Sequence, residues 1–125
     1  MKYALLGFGT VGVGVFEMTD KLPDLNCAKV LVRTGKVKED WQTDDIQAIL
    51  ADPTIEAVAE VMGGLHPAYE YLSAALKAGK HVVTANKQLV AEKGRELLQI
   101  AREPGVNYLF EASVGGGIPI LHAFD

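Results

Sequence analysis

The chain has 125 residues, 49% apolar and 22% charged, which suits one domain with a packed core and argues against disorder. A net charge of −4 with no basic block gives no footing for nucleic-acid binding. A lone cysteine excludes an internal disulfide, and without Cys or His at ligand spacing it argues against a structural zinc site.

Cys27 therefore reads as a small buried apolar residue. No apolar run approaches the ~20 residues that span a bilayer. The run that opens "MKYALLGFG" stops at Gly7, too early for a signal peptide, and no small-residue cleavage site follows. A cytoplasmic protein with no membrane partner is expected. The closing "GGGIPILHAFD" ends in an apolar segment without a polar tail, as expected of a chain cut at a domain boundary.

In chain order, "YALLGF" is a short continuous apolar run, the pattern of a strand buried on both faces. Val11, Val15, Met18 and Leu22 follow at spacings of four, three and four, which predicts a helix from Thr10 to just before Pro23. "AKVLVR" (28–33) is a second strand and "RTGKVKEDWQ" a polar loop. Ile46, Ile49 and Leu50 mark a short helix, with Thr43 or Asp44 as N-cap and Asp52-Pro53 as its stop. "EAVAEVM" is a third strand leading into Gly63-Gly64. Pro67 suits a first helical position, and Ala68, Leu72, Ala75 and Leu76 form a stripe closed by Gly79. "HVVTA" is a fourth strand. Glu92 to Arg102, with Leu97, Leu98 and Ala101, is a helix ended by Pro104-Gly105, and "NYLFEA" is a fifth strand. The alternation β-α-β-α-β-α-β-α-β predicts an α/β fold, a doubly wound parallel sheet of Rossmann type in three layers, spanning 1–125 as one domain.

Gly7-x-Gly9-x-x-Gly12 falls where the first strand hands over to the first helix. At such a junction the first glycine permits a tight turn, the second lets backbone approach a pyrophosphate, and the third lets helix and strand pack closely. The pyrophosphate then rests on free N–H groups at the positive end of the helix. The alternative is a tight turn that binds nothing. Gly14 lies outside the pattern and is read as packing on the sheet.

At the end of the second strand an NAD site usually has an acid for the ribose 2′-OH. Here stand Arg33, Lys36 and Lys38, cations that suit a 2′-phosphate; a guanidinium also stacks on adenine, so the reading is NADP or NAD, leaning to NADP or dual use. The bland alternative is a solvated basic loop. "EVMGG", "TANK" and "EASVGGGIPI" follow the third, fourth and fifth strands, at the carboxyl ends where parallel sheets bind ligands. Lys87 would place an ammonium near a hydride-transfer centre, able to trade a proton if desolvation and cationic neighbours lowered its pKa; the alternative is a surface lysine. His66, His81 and His122 show no ligand spacing, and His66 reads as a helix cap beside Pro67.

Together, "GFGTVG", "EVMGG", "TANK" and "EASVGGGIPI", in this order and spacing, resemble the N-terminal nucleotide-binding region of homoserine dehydrogenases over essentially the whole chain. The resemblance implies that Phe8, Gly9, Thr10, Val11 and Gly12 hold the pyrophosphate and that Arg33 meets the adenosine end. Gly63, Gly64, Thr84 and Ala85 would line the nicotinamide half. Lys87 would touch cofactor and substrate and carry the proton-transfer role. A sodium ion would be held by backbone carbonyls of Glu111, Val114, Gly116 and Ile118, in keeping with the taste of hard cations for oxygen. The implied reaction is reversible hydride transfer between L-homoserine and L-aspartate 4-semialdehyde, on the route to threonine, methionine and isoleucine, in an intact protein that is a homo-oligomer.

Two rival readings stand beside it: an aspartate dehydrogenase-like enzyme acting on another small amino or oxo acid, and a non-catalytic dinucleotide sensor. The family's substrate-binding and dimerisation region, with an essential Asp and a second Lys, lies beyond this sequence. The 125-residue stretch alone is therefore expected to bind dinucleotide and to turn over homoserine poorly or not at all; a turnover number matching that of an intact enzyme would contradict this.

Overall fold

A computed structural model of the chain describes residues 1–110. The elements in order are β1 (Lys2–Leu6), α1 (Thr10–Asp20), β2 (Asn26–Leu31), β3 (Gln42–Thr43), α2 (Ile46–Leu50), β4 (Ala57–Glu60), α3 (Ala68–Lys77), β5 (His81–Thr84), α4 (Lys87–Arg102) and β6 (Tyr108–Phe110). The strands form one sheet in the order β3-β2-β1-β4-β5-β6, and every neighbouring pair is parallel.

Successive strand side chains point to opposite faces, so each apolar run supplies two cores. Ala4 and Leu6 of β1 face one side, with Ile49, Leu72, Leu76, Leu89 and Leu97 of α2, α3 and α4 packed over them. Tyr3 and Leu5 face the other, with Val15 of α1. From β1 the chain moves one way across the sheet to β2 and β3, then returns to the other side of β1 at β4. Crossovers of a single hand put helices on opposite faces when the direction reverses. The doubly wound α/β fold expected from the sequence is the fold found.

The link from β2 to β3 carries no helix. The space beside α1 is filled by rings instead: Phe16 stacks on Trp41 (centroids 4.6 Å apart), and Phe8 meets both edge-on at 5.7 and 5.5 Å.

Several local expectations change. The loop "RTGKVKEDWQ" and the residue after it contain β3, two residues held to β2 by Val30 N–H on the Trp41 carbonyl and Val32 N–H on the Thr43 carbonyl, both 2.8 Å. So short and polar a strand has no period to read. The last helix begins at Lys87 rather than Glu92, because the Asn86 side chain caps it by accepting from Leu89 N–H at 3.0 Å. Asp45, not Thr43 or Asp44, caps α2 through Gln47 N–H (2.9 Å). Pro67 is the N-cap of α3 rather than its first residue, and His66 caps nothing; its Nδ1 lies 2.7 Å from the Glu70 carboxylate.

Along α1 the buried stripe is Gly12, Val15 and Thr19, while Val11 is 40% exposed. Thr19 belongs to it because its hydroxyl pairs with the Tyr3 phenol, 2.5 Å away. Gly14 is exposed and a Cβ built on it would meet no packing neighbour within 4 Å, so it does not pack on the sheet. Cys27 is only half-buried, though burial still pushes its thiol up to about 11, out of the reactive range.

At the amino end of the sheet, Lys80 is buried, and its ammonium donates to the carbonyls of Asp52 (2.8 Å) and Ile55 (2.7 Å). Desolvation lowers its pKa. Lys80→Met keeps the bulk but leaves two carbonyls without their donor, so urea melts should show a loss of about 1–3 kcal/mol; an unchanged midpoint would contradict it.

Candidate functional site

β1 is the strand from which the chain departs in both directions across the sheet, and a crevice forms outside its carboxyl end in folds wound this way. Gly7 leaves β1 with φ +105°, a region that only glycine enters without strain, and its N–H donates to the Leu31 carbonyl at the end of β2 (3.1 Å). A Cβ on Gly7 would meet the Met62 backbone at 3.3 Å, so the segments after β1 and β4 already touch. A Cβ on Gly12 would fall on the Gly7 carbonyl oxygen, far inside contact distance. Gly9 differs: nothing lies within 4 Å of where its Cβ would stand. The packing of the protein itself requires small residues at 7 and 12, whereas at 9 it leaves open space at the head of α1.

That head is uncovered chemically as well. No side chain caps α1 and no acid stands in its first turn. The amides of the first turn have no acceptor within the helix. They carry the positive end of the dipole into the space beside Gly9, an arrangement suited to a phosphate. Thr10 and Val11 flank it, exposed. The Phe8 ring is held in the aromatic cluster, so at this residue the turn offers main chain. Arg33, Lys36 and Lys38 lie exposed beyond β2, with Lys36 N–H closing a turn on the Arg33 carbonyl (2.9 Å).

On the other side of β1, a buried network joins the carboxyl ends of β4 and β5. Glu60, the last residue of β4, is wholly buried. Its Oε2 accepts from the N–H groups of Met62 (2.8 Å) and Gly63 (3.0 Å), and its Oε1 from the Thr84 hydroxyl. Thr84 Oγ1 in turn accepts from Asn86 N–H (3.0 Å). Asn86 Nδ2 donates to the Gly64 carbonyl while its Oδ1 caps α4. Removing a carboxylate from water costs several kcal/mol, and donors converging on both oxygens offset that. Nearby, burial and then the Glu60 charge push the Tyr108 phenol up to about 12.

The residues singled out from the sequence thus take different stations. Gly63 and Gly64 form an exposed turn at φ +79° and +75°. Thr84 is fully buried, its hydroxyl engaged by Glu60 and Asn86, and Ala85 is half-buried beside it. Lys87 is exposed as the first residue of α4, where the helix dipole disfavours a cation. Glu60 and Asn86 were missed as partners; the signal available was an acid closing an apolar strand just before a Gly-Gly pair. Glu111, Val114, Gly116 and Ile118 lie outside the described residues.

A profile described as homoserine dehydrogenase, NAD binding domain, matches residues 7–111. The chain belongs to this family. It is 41% identical to the homoserine dehydrogenase of Bacillus subtilis (strain 168), covering 100% of this chain and 32% of that protein. With the Lactococcus lactis homoserine dehydrogenase the identity is 43%, over 97% of this chain and 32% of the other. The crystal structure of Staphylococcus aureus homoserine dehydrogenase at pH 8.5 superposes with a TM-score of 0.79 at 38% identity, over 90% of this chain and 32% of that one. The chain thus spans about a third of the length of these homoserine dehydrogenases. The matched profile is that of an NAD-binding domain, in keeping with NAD(P) use. Among the described residues no helix is long and apolar enough to cross a membrane.

The glycines of this NAD-binding domain separate by stability. Gly12→Ala forces α1 off the Gly7 carbonyl and should lower the melting temperature by several degrees, a loss of at least about 1 kcal/mol. Gly9→Ala, at φ −82° with free space, should leave it nearly unchanged. Equal melting of the two variants in calorimetry would contradict the packing argument.

Proposed function

We propose that the chain is the dinucleotide-binding part of an NAD(P)-dependent homoserine dehydrogenase that interconverts L-homoserine and L-aspartate 4-semialdehyde. The observation that carries the reading is the uncapped head of α1 with its open space at Gly9. Phe8, Gly9, Thr10, Val11 and Gly12 would receive the pyrophosphate, chiefly through main-chain N–H groups. Gly63, Gly64, Thr84, Ala85 and Lys87 would border the nicotinamide half, Thr84 from beneath the surface. Bound there, the cofactor supplies hydride chemistry that side chains lack.

The chain's own part is to orient and to move a proton. Lys87 Nζ, exposed at the head of α4, exchanges a proton with the reacting oxygen of the substrate. Arg33, Lys36 and Lys38 would meet the adenosine end, and three cations there favour a 2′-phosphate over a bare hydroxyl, hence NADP at least as well as NAD. Sodium at the carbonyls of Glu111, Val114, Gly116 and Ile118 is supported by the glycine-rich sequence and its family resemblance. The whole protein would act as a homo-oligomer in the cytoplasm, its substrate pocket completed by the remaining two-thirds or so of the relatives' length.

Titration calorimetry with NADP⁺, NAD⁺ and ADP tests this. NADP⁺ and NAD⁺ should bind, with NADP⁺ at least as tight, and Gly9→Val should reduce binding at least about tenfold in a folded chain. Undiminished binding by Gly9→Val would overturn the reading. In the full-length protein, Lys87→Ala should cut kcat by about a hundredfold or more with dinucleotide affinity largely kept; unchanged turnover would move the proton-transfer role elsewhere.

A further inference from the structure

Gly63 and Gly64 both adopt positive φ, and no other atom lies within 4 Å of either Cβ position. A Gly-Gly turn without side-chain packing has many conformations open to it. Here it is gripped from both sides. Glu60 takes the N–H groups of Met62 and Gly63, and Asn86 Nδ2 takes the Gly64 carbonyl.

The grip also reaches the neighbouring helix. Asn86 uses its two ends on different elements, Oδ1 on Leu89 N–H of α4 and Nδ2 on the turn. Thr84 hands the connection on, accepting from Asn86 N–H and donating to Glu60. The residues before Glu60 in β4 are Ala57, Val58 and Ala59, all buried, so an apolar residue at 60 would suit the strand alone. A carboxylate there answers a different need, that of fixing main-chain groups beyond the strand's end.

We propose that Glu60, Thr84 and Asn86 are positioning residues that lock the Gly63-Gly64 turn to the head of α4, presenting turn and Lys87 to the nicotinamide half of the dinucleotide in one fixed arrangement. The proposal rests on the dinucleotide reading above. None of the three needs to touch the ligand; each acts through the turn or the helix it holds.

Asn86→Ser separates the two duties of that side chain. A serine hydroxyl still caps α4, but it is too short to reach the Gly64 carbonyl. The measurement is the affinity of the chain for NADPH and for 2′-phospho-ADP-ribose, which lacks the nicotinamide, with thermal melts alongside. Asn86→Ser should melt close to the parent and bind 2′-phospho-ADP-ribose within about twofold, while NADPH weakens about fivefold or more, the scale of one ordinary hydrogen bond. Thr84→Val should lose NADPH in the same way, and Thr84→Ser, which keeps the hydroxyl, should recover it. NADPH binding at parental strength in Asn86→Ser and Thr84→Val would overturn the proposal, as would an equal loss of both ligands. A parent chain that binds neither ligand would overturn the dinucleotide reading itself, and the proposal with it.

Discussion

Backbone rests on backbone where α1 starts: Gly12 sits so close to the Gly7 carbonyl that no Cβ fits between them. This contact sets how near the first helix comes to the end of β1, and therefore where its unpaired amides point. Gly7 is fixed in its turn by the Leu31 carbonyl on one side and the Met62 backbone on the other. The helix head is thereby referenced to three strands at once, and a rigid scaffold presents it without any dedicated side chain. Anion-binding geometry of this sort comes from what is absent at positions 7, 9 and 12, for a different physical reason at each.

The two flanks of that turn are organised by opposite means. Towards β3 the protein uses apolar rings, filling with Phe8, Phe16 and Trp41 the volume that a helix between β2 and β3 would occupy. Towards β5 it uses polar groups in the interior, with the carboxylate of Glu60 tying together segments distant in sequence. Rings tolerate small shifts of their neighbours, whereas a buried carboxylate loses much if a donor moves away. The flank that stands by Lys87 is therefore the more sharply defined of the two.

The fold was legible because its strands are continuous apolar runs separated by helical stripes, and parallel topology follows from that alternation. The glycine turn was legible because its spacing falls at a strand-to-helix junction. The features that were not legible have separate causes. β3 exists only through its hydrogen bonds to β2. Val11, apolar and in helical register, is turned outward because Gly12 takes the inner position against Gly7. The start of α4 was hidden because Asn86 was read as part of a ligand motif, and its capping bond needed the structure to be seen. Glu60 gave a visible sign, an acid at the end of an apolar strand, whose meaning lay in Thr84 some two dozen residues on.

Trp41 is the chain's one tryptophan, and it meets edge-on the ring of Phe8, a residue of the glycine turn. Indole emission depends on what lies within a few ångströms of the chromophore. Any molecule that settles into the turn and nudges Phe8 will alter the light emitted by a single, unambiguous source. The domain carries an optical gauge of movement at that turn, installed by the same aromatic packing that closes its flank.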